Sequence, residues 1–389
     1  MNKIEQMLQE LCPNGVEYKK LGEVCEFQRG STITAKEAVE GDVPVIAGGQ
    51  KPAYYHNVAN RQGKTVVIAG SGAYAGFVTY WEIPIFVSDA FSVNPNGNLE
   101  TKYLYYYLKN IQEKIHATKK GSGVPHVHGS SIAKFEIPVP PLPIQEEIVR
   151  ILDKFSSLAA ELQAELQARQ RQYEYYRDKL LTFNKIEGGG ITWVRMSELF
   201  DMRNGYTPSK AKSEYWDNGH IPWFRMEDIR QNGRKLSDSI QHITLEAVKG
   251  GKLFPAGSFI IATTATIGEH ALLITDSLAN QRFTNLSVRK SLIDKVDTEF
   301  MYHYLFIVGA WCRRNVHAGG FASVDMNKFR SLEIPIPPLA EQERIASILD
   351  HFERLTTDLQ AGLPAEIKAR QQQYEYYRDR LLTFKRKTA

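Results

Sequence analysis

The feature that most constrains this chain is an internal duplication of about half its length. The stretch EIPVPPLPIQEEIVRILDKF at residues 136–155 recurs as EIPIPPLAEQERIASILDHF at residues 333–352, with an offset of 197 residues. A second stretch, ARQRQYEYYRDKLLTF at residues 168–183, recurs at residues 369–384 with two differences and an offset of 201. A period near half the chain predicts two copies of one long module, because solenoid repeats run only about 20 to 50 residues.

The two copies match in their back halves and diverge in their front halves. In the front halves, YLYYYL at residues 103–108 aligns with FMYHYL at residues 300–305, and little else aligns cleanly. Matching back halves that carry dissimilar front halves are expected of a protein that holds one common partner twice while it reads two different targets.

Each back half has the spacing of a long helix with one apolar seam. Apolar residues recur at steps of three and four, or their multiples, in both copies. They are Ile144, Ile148, Ile151, Phe155, Leu158, Leu162, Leu166, Tyr173, Tyr176, Leu180 and Phe183, and then Ile345, Ile348, Phe352, Leu355, Leu359, Leu363, Ile367, Tyr374, Tyr377, Leu381 and Phe384. A single helix over residues 144–183 would be about 60 Å long, which suits a spacer. Because the seam is narrow, we expect the two helices to pair with each other in antiparallel orientation, which would place the front domains at opposite ends.

The offset changes from 197 to 201 because the second copy is four residues longer than the first. The extra residues lie between the phenylalanine of each copy, Phe155 or Phe352, and its tyrosine-rich tail. Four residues make just over one helical turn, so such an insertion should keep the seam nearly in phase while adding about 6 Å. The first copy contains the tandem tetrapeptide AELQAELQ at residues 160–167. Gly362 and Pro364 of the second copy oppose a continuous helix, since a proline in a helix interior costs about 3 kcal/mol. We therefore expect a bend or an interruption there.

The front halves are punctuated by Gly, Pro and Asn and contain short β-type runs such as Val43–Ala47 and Ser258–Ala262. The predicted fold class is α+β, with two mixed α/β globular domains joined by two long helices that pair as an antiparallel coiled coil, in a pseudo-twofold internal repeat.

The front halves also carry the excess of basic over acidic residues. Residues 1–135 hold 14 Lys and Arg against 12 Asp and Glu, and residues 190–332 hold 18 against 14. Any DNA-facing role is therefore assigned to them.

Composition excludes several other classes of protein. The chain has 43% hydrophobic and 24% charged residues, near the averages of soluble globular proteins. Its longest apolar stretches fall far short of the roughly 20 residues that a membrane-spanning helix needs, and its first fifteen residues do not read as a secretion signal. Three widely spaced cysteines, Cys12, Cys25 and Cys312, fit neither a disulfide framework nor a CxxC zinc site. A reducing, cytoplasmic location is expected.

Two variable domains separated by the EIPxPPL stretch, the IxxILDxF helix start and the YEYYRDxLLTF tail resemble the specificity subunits of Type I restriction-modification systems along the whole chain. The resemblance implies two target recognition domains, at residues 1–143 and 186–340, and two helical spacers, at residues 144–185 and 341–389. Each domain would read one half of a bipartite target in double-stranded DNA. The spacers would set the gap between the two halves.

The same resemblance implies partners and cofactors. Two DNA methyltransferase (modification) subunits would dock on the repeats, and separate motor-nuclease (restriction) subunits would join for cleavage. AdoMet, ATP and magnesium would belong to those subunits, and this chain would bind no cofactor or metal and carry no catalytic residue. The tail tyrosines and arginines suit both helix packing and methyltransferase docking. They are Tyr173, Tyr176, Arg177, Tyr374, Tyr377 and Arg378.

Motifs of catalytic sites are weak in this chain. The glycines of GSGAYAG at residues 70–76 resemble a cofactor loop, but no helical pattern follows them, so a tight strand turn is expected. Gly63-Lys64-Thr65 lacks the leading glycine of a phosphate loop. Pro140-Pro141 lacks the preceding Asn or Asp of an amino-methyltransferase motif, and the absence of any Pro-Asp dipeptide weakens a nuclease interpretation. His126 and His128 could be a metal pair or part of a solvated loop. Because no Cys or acidic ligand lies nearby in sequence, a loop that contacts DNA is preferred.

Contacts with DNA require Arg or Lys for phosphates and Arg, Lys, Asn, Gln or Ser for base edges. Residues of these types near predicted turns, together with the two loop histidines, are the candidates. They are Lys119, Lys120, His126 and His128 in the first domain and Arg230, Arg234, Lys235, Gln281, Arg282, Arg313 and Arg314 in the second. For each of them, plain solvation at the surface is the alternative to a contact with a base.

Two other functions stay open from the sequence. The chain could be the recognition subunit of a two-part Type II-like restriction-methylation enzyme, which would share this architecture and differ in its partner. It could also be a coiled-coil scaffold without DNA binding. A scaffold predicts no salt-dependent affinity for DNA, whereas several phosphate contacts predict a steep loss of binding with salt.

Overall fold

A computed structural model of the chain describes residues 2–121, 123–184, 190–317, 322–358 and 361–387. None of the helices in these ranges is long and apolar enough to cross a membrane. Leu359 of the predicted seam lies outside the described residues, as do residues 185–189, where the first predicted spacer meets the second predicted domain.

Helices and strands alternate along both halves of the chain. The first half contains α1 (Asn2–Leu11), β1 (Tyr18–Lys20), α2 (Leu21–Val24), β2 (Cys25–Arg29), β3 (Val43–Ile46), β4 (Tyr54–His56), β5 (Thr65–Ala69), β6 (Val78–Trp81), β7 (Phe86–Val87), β8 (Ala90–Pro95), α3 (Thr101–Asn110), α4 (Gln112–His116), α5 (Gly129–Ile132), β9 (Glu136–Pro138) and α6 (Leu142–Leu180). The second half contains β10 (Thr192–Arg195), α7 (Met196–Leu199), β11 (Phe200–Asn204), β12 (Ile221–Phe224), α8 (Met226–Asn232), β13 (Lys235–Leu236), β14 (His242–Ile243), β15 (Phe259–Ala262), β16 (His270–Leu273), β17 (Leu278–Ala279), β18 (Phe283–Val288), α9 (Thr298–Arg314), β19 (Val316–His317), β20 (Ser323–Val324), α10 (Met326–Ser331), β21 (Glu333–Ile336), α11 (Leu339–Thr357) and α12 (Leu363–Leu381).

Contacts divide the chain into two compact units. Unit 1 comprises Met1–Ala164 and Ala365–Ala389, and unit 2 comprises Glu165–Pro364. Each unit contains one strand-rich domain, here called its head, and a piece of each repeated helical segment. The predicted domain bounds, which separate heads from spacers, stay a prediction, because this division groups each head with the helices that pack on it.

The two heads share a strand topology that their sequences do not reveal. Unit 1 contains the sheets β2-β8-β5-β6 and β4-β3-β7, and unit 2 contains β11-β18-β15-β16-β13 and β14-β12-β17. In both three-stranded sheets the central strand pairs antiparallel with one neighbour and parallel with the other. An antiparallel ribbon, β1 with β9 or β10 with β21, precedes the long helix of each unit. The divergent front halves are therefore two versions of one fold.

Buried apolar residues account for the central strands. All five residues of β5 (TVVIA) and all four of β15 (FIIA) are buried. Such continuous burial, with many β-branched side chains, is typical of strands covered on both faces. The short β-type runs identified in the sequence therefore form strands as predicted.

Unit 2 contains an insertion that bears on the site. Between β12 and β14 the chain forms α8 and β13, and β13 pairs parallel with β16 at the edge of the five-stranded sheet. The insertion widens this sheet by one strand and places α8 beside α9 and α11, where all three line one groove.

The first repeated helix is continuous, whereas the second is interrupted. Helix α6 has 39 residues, while the second copy forms α11 and α12 with 19 residues each. Pro364 is the second residue of α12, where its missing N–H removes no helical hydrogen bond. The predicted interruption is confirmed. The prediction that the four extra residues lengthen the seam is wrong, because these residues lie where the helix is interrupted and the helical lengths of the two copies stay nearly equal.

The two helical segments pair in antiparallel order. In unit 1, Phe155 in the first part of α6 stacks on Tyr377 of α12 with ring centroids 5.5 Å apart. In unit 2, Tyr176 in the last part of α6 stacks on Phe352 of α11 at 5.6 Å. The beginning of one segment thus contacts the end of the other in each unit, as the seam predicts.

A buried glutamine fastens head 1 to the start of α6. The side chain of Gln145 accepts a hydrogen bond from the backbone N–H of Glu100 at 2.8 Å. It donates to the backbone carbonyls of Asn98 at 2.8 Å and Pro140 at 2.7 Å. One side chain therefore connects the loop before α3, the segment before α6 and α6 itself.

Unit 2 repeats this clamp with the equivalent glutamine. Gln342 is fully buried, accepts from the backbone N–H of Asp297 at 2.9 Å and donates to the carbonyls of Lys295 at 2.8 Å and Pro337 at 2.7 Å. Because a buried amide must satisfy its hydrogen bonds, the clamp fixes one geometry between head and helix.

The segment after α12 returns to head 1. The backbone of Val16 donates to Lys385 at 2.8 Å and accepts from Lys387 at 2.9 Å. Between them, the Arg386 guanidinium pairs with the carboxylate of Glu136 at 2.6 Å and lies 4.5 Å from the ring of Tyr18. Backbone hydrogen bonds thus join the beginning and the end of unit 1, between residues that are almost 370 positions apart in the sequence.

We expect Gln145→Leu to lower the free energy of unfolding by about 2–4 kcal/mol, because three backbone groups would lose their buried partner, and each costs about 1–3 kcal/mol where water cannot replace it. Urea denaturation monitored by circular dichroism measures the change. Gln163→Leu, on an exposed position of the same helix, is the matched control and should leave the midpoint unchanged. Equal midpoints for the two variants would contradict a fastening role for Gln145.

Candidate functional site

Four of the predicted contact residues of unit 1 gather around a hairpin that follows α4. Lys120 and His126 face each other across it, joined by backbone hydrogen bonds of 2.9 and 2.8 Å. Lys119 is half-buried, and its ammonium donates to the carbonyl of Ala73 at 3.4 Å. Lys120, His126 and His128 are exposed, and His128 immediately precedes α5. The structure therefore brings residues from both sides of the hairpin onto one surface.

The glycine-rich loop between β5 and β6 lies against this hairpin. The backbone N–H of Gly72 donates to Pro125 at 3.0 Å, and the carbonyl of Gly70 accepts from Val127 at 2.9 Å. Gly72 has a φ of +83°, a left-handed conformation that favours glycine. The loop leads into β6 rather than into a helix, so the predicted strand turn is confirmed.

Head 2 places a loop and a hairpin at the corresponding positions. The loop after β15 bridges from Thr264 to Ser323 of the hairpin formed by β19 and β20, whose residues 318–321 lie outside the described part of the chain. Arg313 and Arg314 are exposed at the end of α9, directly before this hairpin. The positions that correspond to Lys119 and Lys120 of head 1 are Val316 and His317, because His317 pairs with Ser323 as Lys120 pairs with His126.

Gln281 and Arg282 adjoin the same loop of head 2. Both are exposed in the turn between β17 and β18. The carbonyl of Arg282 accepts from the backbone N–H of Thr263 at 3.0 Å, and the Gln281 side chain accepts from the Thr207 hydroxyl at 2.6 Å. The predicted residues 281, 282, 313 and 314 therefore flank one loop, and we call this surface and its counterpart in head 1 the loop surfaces.

The remaining predicted residues of head 2 line a groove of about 1670 Å³ within unit 2, which Arg313 and the loop residues Ala265 and Thr266 also line. Arg230 is exposed on α8 at this groove. Arg234 forms an ion pair with Glu269, and Lys235 lies 2.7 Å from a carboxylate oxygen of Glu299. Arg234 and Lys235 are thus neutralised by carboxylates of their own unit, which the sequence spacing did not indicate.

Helix α11 supplies a second carboxylate to Lys235. The ammonium lies 3.4 Å from Asp350, whose other neighbour is the imidazole of His303 at 3.0 Å. Burial by itself would raise the pKa of Asp350, but the hydrogen bond from His303 and the charge of Lys235 outweigh it and hold the pKa below its ordinary value. Asp350 is therefore ionised at neutral pH and fastens head 2 to the repeated helix.

His303, Asp350 and Glu353 have ligand atoms within 4.8 Å of one another, a spacing that could hold a metal ion. Each of them already has partners in the protein. The second ring nitrogen of His303 lies 3.3 Å from the Tyr173 hydroxyl, and Tyr302 donates to Glu353. These contacts, with Lys235 beside Asp350, account for the cluster through hydrogen bonding and charge pairing alone.

The predicted docking residues are half-buried and take part in packing within their own units. Tyr176 and Tyr377 stack on Phe352 and Phe155 as described above. The Arg177 guanidinium lies 5.7 Å from the ring of Tyr173, and the Arg378 guanidinium lies 5.8 Å from the ring of Tyr374. Helix packing thus explains why these six residues recur in both copies, and their role in docking stays a prediction.

A neighbouring tyrosine of each tail has no such explanation. Tyr175 is 60% exposed in unit 2, and Tyr376, its equivalent in the repeat, is 55% exposed in unit 1. Each carries a cation beside its ring, Lys179 at 5.7 Å and Arg380 at 5.8 Å. The periodicity of the apolar seam did not identify these two tyrosines, because both lie outside the seam. Identity of the two tails at an exposed aromatic position is the signal that could have found it.

The three cysteines are free thiols. Cys25 and Cys312 are buried, and burial raises the pKa of each to about 12. Burial also raises the pKa of Cys12, which is half-buried. These thiols are protonated at neutral pH, which does not favour nucleophilic chemistry at them.

A family model described as the Type I restriction modification DNA specificity domain matches the chain twice, at residues 13–169 and 190–369. The two matches correspond to the two copies recognised from the internal repeat.

Curated relatives and solved structures agree with this match. The chain is 33% identical to an Escherichia coli Type I restriction enzyme EcoR124I/EcoR124II specificity subunit, over 95% of this chain and 94% of the relative. It is 51% identical to the Escherichia coli Type I restriction enzyme EcoprrI specificity subunit, over 54% of this chain and 53% of that protein. The crystal structure of a Type I restriction-modification S subunit from M. genitalium has the same fold, with a TM-score of 0.60, 14% identity and coverage of 95% and 96% of the two chains.

Proposed function

The chain belongs to the family of Type I restriction-modification DNA specificity subunits, and we propose that its two heads read the two halves of a bipartite DNA target while its repeated helices hold two methyltransferase subunits. The observation that carries this proposal is the duplication itself. Two heads with one topology and different surfaces are attached by identical glutamine clamps to matching helices. Heads that are attached in the same way but differ in their surface loops would suit two unrelated half-sites.

The loop surfaces are the proposed DNA contacts. In head 1, Lys119 and Lys120 would pair with phosphates, while His126 and His128 project from the same hairpin. In head 2 the equivalent contacts would come from the exposed residues 281, 282, 313 and 314. Phosphate contacts position a protein on the duplex, and contacts with base edges specify the sequence. Arg234 and Lys235 are weaker candidates because their charges are paired within unit 2.

Helix α6 would set the spacing between the half-sites. Its 39 residues correspond to about 58 Å of helix at 1.5 Å per residue. Half-sites read from one face of B-DNA lie about 34 Å apart. A continuous helix of this length is long enough to serve as the spacer of a bipartite reader.

The exposed tyrosines Tyr175 and Tyr376 are the proposed centres of methyltransferase docking. Exposed aromatic side chains beside cations are typical of interface hot spots. Because the surrounding sequence, QYEYYRD, is the same in both tails, the same partner surface would fit twice. Two methyltransferases on one specificity subunit follow directly from this repetition.

The proposal assigns chemistry to the partners. AdoMet would bind the methyltransferase subunits, and ATP and magnesium would bind the restriction subunits, which would join the complex for cleavage. This chain would contribute recognition and positioning, without a catalytic residue, cofactor or metal of its own. Because its target is DNA and its partners are intracellular enzymes in this scheme, we propose a cytoplasmic location.

The family match does not support the two alternatives left open by the sequence. Neither a Type II-like recognition subunit nor a scaffold without a DNA target is among the similarities described above, and the relative matched over most of its length and the one matched over half of it are both Type I specificity subunits.

We expect co-expression of this chain with its cognate methyltransferase in a methylation-free host to produce adenine methylation at a split motif, two short defined blocks around a fixed gap. Single-molecule sequencing of the host DNA maps the motif. Inserting one AELQ unit after Gln167 should widen only the gap, by one or two base pairs, since it lengthens α6 by about 6 Å. The same insertion after Ala361, where the second helix is interrupted, is the control and should leave the gap unchanged. A continuous motif would refute two-headed reading.

We expect the double variant Lys119→Ala, Lys120→Ala to weaken DNA binding and to reduce the slope of log affinity against log salt by about 1 for each phosphate contact removed. Fluorescence anisotropy with the mapped target, measured over a salt series, gives the slope. Lys154→Ala, an exposed lysine on α6, is the single-charge control. If the slope of the double variant equals that of the control, the hairpin of head 1 does not contact phosphates.

We expect Tyr175→Ala and Tyr376→Ala each to reduce the bound methyltransferase from two copies to one, and the double variant to bind none. Native mass spectrometry of the purified complexes counts the copies. Both positions are more than half exposed, so the fold should be unaffected. Tyr55→Ala, at a tyrosine that is 57% exposed on β4, controls for the loss of an exposed aromatic ring. Retention of two copies by the double variant would place docking elsewhere.

A further inference from the structure

The turn before β8 in head 1 and the turn before β18 in head 2 occupy the same position in the common topology. The backbone N–H of Gly70, directly after β5, donates to the carbonyl of Asp89 at 3.1 Å. In head 2 the backbone N–H of Thr263, directly after β15, donates to the carbonyl of Arg282 at 3.0 Å. These hydrogen bonds continue the pairing of β5 with β8 and of β15 with β18. Asp89 and Arg282 are therefore equivalent residues of the two heads.

The beginnings of the two turns match as well. The backbone N–H of Ser88 donates to the carbonyl of Ile46 at the end of β3 at 2.8 Å, and that of Asn280 donates to Phe224 at the end of β12 at 3.0 Å. Gln281 is one additional residue in the turn of head 2. Each turn is thus tied to both sheets of its head, which fixes the backbone from which its last residue projects.

The loops that these turns contact also share one conformation. Two residues after Gly70 and Thr263 lie Gly72 and Ala265, and both are left-handed, with φ of +83° and +62°. An alanine rarely adopts this conformation, so the contacts of the loop must maintain it in head 2. The two heads therefore present different side chains from one shared backbone arrangement.

Asp89 and Arg282 carry opposite charges at this shared position. Both residues are exposed. The carboxylate of Asp89 accepts a hydrogen bond from the hydroxyl of Ser71, and its charge has no cationic partner among the residues that the structure describes. The side chain of Arg282 likewise forms no ion pair within the described part of the chain. Both charges are therefore available to a ligand, unlike those of Arg234 and Lys235.

DNA would satisfy the two charges in different ways. Phosphates repel a carboxylate, so an aspartate on a surface that faces DNA needs a donor from a base edge. In the major groove cytosine presents an amino donor, whereas adenine has the acceptor N7 beside its amino group. Guanine presents two acceptors, O6 and N7, which match the paired donors of an arginine. A carboxylate at this position therefore favours cytosine, and a guanidinium favours guanine.

We propose that Asp89 and Arg282 are specificity-determining residues at one equivalent position of the two heads. Asp89 accepts a hydrogen bond from the amino group of a cytosine in the half-site of head 1, and Arg282 donates to O6 and N7 of a guanine in the half-site of head 2. This inference rests on the proposed function for DNA as the ligand, and it adds the base that each residue reads. Exchange of one side chain between the heads should then exchange the base that is read.

Such an exchange tests the assignment directly. The full chain and its variants are co-expressed briefly with the methyltransferase, and single-molecule sequencing maps the methylated sites. We expect Asp89→Arg, which gives head 1 the side chain of head 2, to reverse one base pair of one block from C·G to G·C. Asp89→Asn keeps an acceptor for Ser71 and should reduce the preference for C·G at the same pair about tenfold. Arg282→Gln should relax one G·C pair of the other block to a similar extent.

The block read by the unchanged head is an internal control, since its retention shows that the variant still folds and assembles. Asp42→Asn and Arg330→Gln are the matched charge controls and should leave both blocks unchanged. Asp42 is exposed before β3, at the end of that strand opposite Ile46, and Arg330 is exposed on α10. A split motif that neither variant of Asp89 alters would overturn the assignment of Asp89. A wild-type chain without a split motif would instead refute the proposed function, and the inference with it.

The salt dependence of binding separates a base contact of Arg282 from a phosphate contact. Fluorescence anisotropy of the mapped target with the purified methyltransferase complex gives the affinity over a salt series. We expect Arg282→Gln to bind about tenfold more weakly than Arg330→Gln, with the same slope of log affinity against log salt. A slope that is smaller by about 1, together with an unchanged motif, would make Arg282 a phosphate contact and overturn its assignment.

Discussion

The buried glutamine at the start of each repeated helix is the interaction on which the rest of the structure depends. Gln145 and Gln342 each form hydrogen bonds with three backbone groups. Two of these groups belong to the head and one to the proline-containing segment before the helix, and none lies on the loop surfaces. A loop that reads DNA can therefore change without altering how the head is mounted. The duplicated EIPxPPL stretch and the glutamine three residues after it owe their near identity to this mechanical role, since they supply the ribbon strand, the carbonyl acceptor and the clamp itself.

A second fastening shows how the heads diverge around a constant position. The aspartate of the ILDxF stretch contacts the head in both units, but its partners differ. Asp153 accepts from Tyr106 at 2.6 Å and lies 3.0 Å from Lys102. Asp350 instead meets His303 and Lys235, the latter supplied by the inserted strand β13. The repeated helix thus presents one carboxylate, and each head has evolved its own donors for it.

The sequence predicted the helices well and the surroundings of the candidate residues poorly, for physical reasons. A seam at steps of three and four is local information, so α6 and its antiparallel partner could be read from the chain, as could the interruption near Pro364. Strand pairing is set by contacts between distant residues, so the dissimilar sequences of the heads did not reveal their common topology. Ion pairing is equally non-local. Arg234 and Lys235 look like free cations in sequence, and only the fold brings Glu269, Glu299 and Asp350 to them.

The division of the repeated helices between the units has a consequence for biosynthesis. Unit 2 is a continuous stretch, Glu165–Pro364, and all of its contacts become available once that stretch has left the ribosome. Unit 1 is discontinuous. The partner of Phe155 is Tyr377, and the strand partner of Val16 is the segment around Arg386, so its core stays incomplete until the last residues are made. Domains generally fold as units during synthesis. The half of the molecule that is made first is therefore the half that finishes folding last, and Phe155 must wait for its stacking partner.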